Sequence, residues 1–301
     1  MRILLLVLVM FWGALASASE FRIIGRAALF SNDYFIDGHD RWRSGSYSRS
    51  TFFGTEWDGE IPETGIFELR FRGELIGPSD ASKPPQSGER PFVGVAAVGL
   101  SRHFRHQEMD VRVGADLVAI GPQTGVSSFV TEAHALLGFK LPRAAEGELR
   151  NDLIPTGYFE ASRLITATTT RPFQLRPFVE AQAGAETYAR AGIDVFFKQN
   201  VSGDLFTRDV VTGQIMTVIS MQGMAGLTPM LGADIARVYD SNYLPGSSGL
   251  TLKKWRFRVR GGLRSLGRSR DVFMGVTWLS PEYEGQPEGQ MIGSFSIDHH
   301  F

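Results

Sequence analysis

The sequence has no cysteine, a formal net charge of −1, and no apolar run beyond its first eighteen residues that approaches the length of a spanning helix. Without cysteine, no disulfide framework can hold the fold, and redox compartment is uninformative beyond being compatible with a periplasmic route. The near-neutral charge excludes the basic footprint of a nucleic-acid binder. The missing second apolar stretch excludes a bundle of membrane helices.

The first residues carry an export signal. Arg2 supplies a positive start, Ile3 to Trp12 an unbroken apolar core, and Ala16-Ser17-Ala18 a small-x-small cleavage site. A retained membrane anchor needs about 20 apolar residues, and this run is shorter. Residues 1–18 therefore read as a signal peptide and 19–301 as a single domain. The 34 Gly and 22 Phe suit sheets, where glycine permits bends and aromatics favour strands and membrane interfaces.

The dominant pattern is alternation of period two. Phe67, Leu69, Phe71 and Leu75 alternate with Glu68, Arg70, Arg72 and Glu74, and Trp255, Phe257, Val259 and Leu263 alternate with Arg256, Arg258, Arg260 and Arg264. A soluble sandwich would turn the apolar face inward, so alternation alone does not choose. Export, strand-like segments of ten or more residues, and Phe301 behind Phe295 and Ile297 on one face choose the inverted arrangement, although His299 interrupts that face. The fold expected is all-β: a transmembrane antiparallel β-barrel of about twelve strands with a short helix in an outer loop, in the outer membrane of a Gram-negative bacterium. The arginine row would point into the lumen, neutralised by Glu68, Glu74, Asp110, Asp116, Glu180 and Glu186. Thirteen strand-like segments can be drawn, including 214–221. Counting from the two ends collides between 156 and 198, so one of the three segments there is expected not to span.

Ser127 to Phe139 breaks the pattern: Phe129, Val130, Ala133, Leu136 and Leu137 recur at helical spacing, with Ser127 or Ser128 as cap. Counting strands places this helix, with His134, outside. The same count brings Asn32-Asp33, at the end of strand one, and Ser46 to Ser50, at the start of strand two, to that rim. Imidazole serves as a general base, an amide or hydroxyl donates to an oxyanion, and a carboxylate orients a base or holds a metal. Each also has a plainer reading: a turn at Asn32-Asp33, serines lining a wet lumen, a surface histidine. His39 lies near the site and reads equally as an interface residue, and His103 and His106 fall at an inner turn. Asp298, His299 and His300 make no metal site, because adjacent histidines on a strand face opposite sides.

These residues resemble the lipid A 3'-O-deacylases of Gram-negative outer membranes, the LpxR type. Phe30-Ser31-Asn32-Asp33 resembles the family's opening Asn-Asp pair, and Asp40-Arg41-Trp42-Arg43-Ser44-Gly45 its Asp-x-x-Tyr-Thr-Asn-Gly element. Arg90-Pro91-Phe92-Val93-Gly94, Gly121-Pro122 with His134 and Gly138, and Ser280 to Gln286 with Gly293 and Phe301 follow in the family's order. The sequence departs from it at Arg43-Ser44 and at Val130-Thr131, where a polar Gln is expected. The resemblance implies a twelve-stranded barrel that hydrolyses the 3'-acyloxyacyl ester of lipid A at the outer leaflet with calcium. His134 would activate water, Asn32 and Asp33 would be the essential pair, and the strand-two hydroxyl falls on Ser48, with Ser46 and Ser50 as alternatives. Arg43, Ser46 and Ser50 would contact substrate, and Asp33 would be the carboxylate near calcium. The partners implied are lipopolysaccharide and the membrane, with the chain a monomer. The competing readings are a catalytically inactive structural or pore-type barrel of the same fold, and a serine phospholipase, which the absence of a His-x-Ser-Asn element disfavours.

Overall fold

A strand that alternates apolar and charged residues must put the two sets on opposite faces, and a sheet curled with its charges inward closes into a barrel that lipid can surround. The chain does this. The computed structural model describes residues 21–84, 86–166, 173–197, 200–221, 226–267 and 270–299; the leader expected at 1–18 and Phe301 lie outside them. The strands are β1 (Arg22–Asn32), β2 (Trp42–Gly54), β3 (Ile66–Gly77), β4 (Val93–His106), β5 (Met109–Ile120), β6 (Asp152–Ser162), β7 (Ile165–Thr166), β8 (Phe173–Ala183), β9 (Glu186–Phe197), β10 (Leu205–Arg208), β11 (Ile215–Ile219), β12 (Gly226–Ser241), β13 (Trp255–Leu266), β14 (Arg270–Leu279) and β15 (Gln290–His299). The helices are α1 (Tyr34–Asp37) and α2 (Val126–Leu137).

Twelve strands form the wall. The order runs β6-β5-β4-β3-β2-β1-β15-β14-β13-β12-β9-β8, all antiparallel, and β6 pairs with β8 to close it. Phe71, Leu117, Val179, Ile193, Leu231, Val259 and Met274 are exposed on the outside, while Glu68, Arg70, Arg112, Asp194 and Asp234 are buried inside. Arg256, Arg258, Arg260 and Arg264 are buried in the lumen as expected; of the acids expected to neutralise them Glu186 does so, and the remaining partners are different. Arg258 and Arg260 bind Asp234, Arg260 also binds Asp194, Arg264 binds Asp271 and Asp204, and Arg256 binds Glu186 and Glu282. Asp234 and Arg258 are opposite each other in register, so the nearest acid is usually the neighbouring strand's.

All three segments between 156 and 198 span, which corrects the expectation that one of them does not. The surplus segment is 214–221. Its β11 has five residues, too short to cross, and pairs with β10 inside the lumen. Ile215, Met216 and Val218 are buried on both faces of that hairpin, against Ala27, Leu29, Phe52, Phe196 and Phe273 of the wall. The hairpin enters from the end where Trp57 Nε1 donates to the Gly203 carbonyl at 2.9 Å. Its far tip carries Val211, which packs on Leu279 and Ile292 near the opposite rim. A folded-back connection therefore fills the lumen together with the side chains.

Candidate functional site

The long connections at the end that the strand count places outside build a cavity of about 870 Å³ on the barrel rim. Asn32, at the end of β1, and His134, on α2, both line it, so the structure brings these two expected residues together. Phe30, Tyr34, Phe35, Leu137 and Phe139 supply its apolar wall. The ring of Phe139 stands 5.9 Å from that of Tyr34 and 5.7 Å from that of His134, tying the two sides.

His134 is oriented by the end of its own helix. Gly138 adopts φ 74°, a left-handed conformation that lets the chain reverse, and the N–H groups of Gly138 and Phe139 both point to the His134 carbonyl. The reversal returns the Lys140 carbonyl to His134 Nδ1 at 2.7 Å. A carbonyl only accepts, so Nδ1 carries the proton and, in the neutral ring, Nε2 keeps its lone pair. The helix starts differently from expectation: Gly125 is its cap residue, Ser127 is buried and neither serine caps it.

Asn32 is fixed in the same manner. Its Oδ1 accepts from the Tyr34 N–H at 2.8 Å, which leaves Nδ2 as a donor. Gly45 lies opposite on β2, where a Cβ would come within 3.2 Å of Nδ2. Asp33 turns away from the cavity and is fully buried. One oxygen accepts from the Arg41 N–H and Gln290 Nε2, both at 2.9 Å, and the other from Ser44 Oγ at 3.3 Å. Burial, with Asp40 and Asp37 nearby, pushes its carboxyl up to about 8 despite the donors from Arg41 and Gln290.

The other expected residues sit inside the barrel. Ser48 Oγ donates to Asp209 of the lumen hairpin at 3.0 Å, and Ser50 Oγ to Glu68 at 2.6 Å. Ser46, two residues before Ser48, is buried on the same face. Arg43 is locked to Glu74, Glu186 and Glu282 at 2.7 to 2.9 Å. Period two explains this: the even positions of β2 after a bulge at Arg43 to Gly45 all face the lumen. None of the four lines the cavity with His134. The strand-two hydroxyl that does touch the rim is Ser44, bonded to both Asp33 and Asp40.

Calcium prefers several unengaged oxygen donors. Asp33 offers none, and Asp80 on the cavity wall is held by Ser82 and by Lys83 at 3.0 Å. Among the described residues no group of three or more His, Asp or Glu side chains is arranged to hold a metal. Among the described residues the acidic side chains and histidines do not by themselves assemble a calcium centre. His39, on the cavity wall, also has its Nδ1 on a carbonyl, that of Asp37, at 2.7 Å. Tyr34, Phe35 and Gln290 went unnoticed in the sequence, where only their closeness to Asn32-Asp33 or to Glu282 singles them out.

Residues 4–301 match the family described as outer membrane protein LpxR. A solved structure of LpxR from Salmonella typhimurium superposes with a TM-score of 0.73 at 17% identity, covering 92% of this chain and 100% of that one. The β domain of the Bordetella autotransporter BrkA gives 0.43 at 9% identity over 94% and 100% of the two chains. The NanC porin gives 0.41 at 9% over 93% and 100%. No curated protein matches the sequence. With a match across nearly its whole length and a barrel of the same architecture, the chain belongs to the outer membrane protein LpxR family.

Proposed function

We propose that this protein is a lipid A deacylase that hydrolyses the 3'-acyloxyacyl ester in the outer leaflet. The observation that carries the reading is the shared cavity of His134 and Asn32, each turned by a backbone partner so that Nε2 can accept and Nδ2 can donate. His134 Nε2 takes a proton from water as its oxygen attacks the ester carbon. Asn32 Nδ2 donates to the oxyanion that forms. The carbon–oxygen bond to the sugar then breaks, and the imidazolium returns its proton to the departing 3'-oxygen, giving a free acid and a hydroxyl. Asp33 acts as a positioning residue, holding the 33–41 loop that carries Tyr34 and Phe35. No step is routed through calcium.

The apolar surroundings suit this substrate. Phe129, Leu136 and Leu137 of α2 are exposed beside the cavity, as are Phe35 and Ile36 of α1, where acyl chains would lie. A pore is disfavoured by the hairpin that occupies the lumen. Residues 1–18 are read as a leader removed on export, and the barrel as a working monomer because one chain supplies the whole cavity. Mass spectrometry of lipid A from cells expressing the wild type, His134→Ala or neither tests the proposal. Loss of the 3'-acyloxyacyl chain in the wild-type cells alone is expected; an unchanged acylation pattern in them would remove this function.

A further inference from the structure

Among the described residues the wall is least paired where β1 meets β15. β1 pairs with β2 from Arg22 to Asn32, and β14 pairs with β15 from Arg270 to His299, yet β1 and β15 meet only at Phe30–Phe295, Ser31–Ser294 and Asn32–Gly293. Continuing that register would set Leu29 against Ser296 and Ala28 against Ile297, but the described residues show no such ladder. Below Phe30 a cavity of about 710 Å³ replaces it. Phe30, Phe295 and Ile297 are exposed on its lipid-facing margin. Arg264 and Asp271, paired with each other in the lumen, line its inner side. The opening therefore passes through the wall, and β11 closes it from within. Gly25 lets β11 approach: a Cβ there would come within 2.7 Å of Val218.

Two properties of the opening name its occupant. An unpaired strand edge cannot face hydrocarbon, because its N–H and C=O groups need polar partners. Two exposed arginines, Arg26 and Arg49, also line the lipid-facing side, and among the described residues neither has an acidic partner. A guanidinium on that face is unfavourable unless an anion meets it or it reaches the interface. The gap runs towards Ile23, at the periplasmic end of β1, so it opens to the inner leaflet. We propose that the seam between β1 and β15 is a lateral window that seats an anionic phospholipid of the inner leaflet, its phosphate on Arg26 and Arg49 and on the free strand edge. Its acyl chains run against Ala28 and Ile297.

The absence of native cysteine makes the window directly testable. Paired cysteines at Phe30→Cys and Phe295→Cys in the full-length barrel are expected to oxidise to a disulfide, since facing residues on paired strands are close enough. Ala28→Cys with Ile297→Cys, of the same register type, is expected not to crosslink; crosslinking as complete as the upper pair would show a closed seam and overturn the proposal. The second arm reconstitutes the barrel in bilayers of phosphatidylcholine with phosphatidylglycerol and identifies the lipid retained in native mass spectrometry. Wild type is expected to retain phosphatidylglycerol, and Arg26→Gln/Arg49→Gln to retain about tenfold less, as loss of a charge-assisted contact implies. Equal retention by the double variant, or a wild type that shows no preference for phosphatidylglycerol, would remove the phospholipid from the window.

Discussion

At the scale of single residues, the chemistry rests on two side chains whose ambiguous ends are settled by backbone partners. His134→Ala is expected to lower the deacylation rate by about 10² to 10⁴, the usual contribution of a general base. His39→Ala, which removes the other cavity imidazole, is expected to leave most of the rate, and lipid A turnover in vesicles compares the two. Asp33 makes a second prediction through its raised carboxyl. An acid whose folded value of about 8 exceeds its unfolded 3.8 keeps its proton on folding, so its contribution to stability is greatest below about pH 4 and is lost as pH rises to 8. Activity is therefore expected to fall as pH passes about 8 and the 33–41 loop loosens around a buried charge. Asp33→Asn, which stays neutral, is expected to remove that alkaline limb from the pH–rate profile while preserving the fold. Complete inactivity of Asp33→Asn at every pH would instead mark the carboxylate as chemically essential.

At the scale of elements, motifs that read as a scattered signature turn out to be supports of the rim. Arg90 binds Glu282 across the barrel mouth, and Gln286 accepts from the Glu282 N–H at 2.8 Å. Burial alone would raise Glu282, but the charges of Arg43, Arg256 and Arg90 hold it well below the usual carboxylate range. Gly293 makes room for Ile36 of α1, where a Cβ would come within 2.9 Å. Gly138 is the clearest case. Gly138→Ala places a side chain at φ 74°, costing about 1–2 kcal/mol, and is expected to release the Lys140 carbonyl from His134. A loss of activity with unchanged thermal unfolding of the barrel is the outcome to look for. The strands were legible because period two survives in almost every wall segment. The ends of α2 were half legible: Gly138 announced a stop, whereas the serines suggested a cap that Gly125 and the preceding turn supply.

At the scale of the whole molecule, the barrel is a shell around charge and a tucked hairpin. Asp194 holds Arg208 and Arg260 at 2.8 and 2.5 Å, joining β9, the hairpin and β13. Asp194→Ala strands those cations in the lumen and is expected to destabilise the barrel by about 3–5 kcal/mol, as read by urea unfolding in vesicles. Replacing residues 204–220 with a short Gly-Ser linker is expected to raise conductance in planar bilayers, because the hairpin no longer occupies the lumen. If conductance stays at the wild-type level, side chains alone block the passage.

The sequence by itself determined the barrel, its inside and outside, the outer placement of His134 and the pairing of Asn32 with it, because alternation and connection length are local properties that survive without coordinates. Only the tertiary structure decided which strand-like run was not wall, since β11 differs from wall strands in being short and buried on both faces. It also decided that Ser46, Ser48, Ser50 and Arg43 look into the lumen while Asn32 looks out. One bulge near Gly45 and the curvature of a closed sheet set those directions, and neither is written in the spacing of the residues.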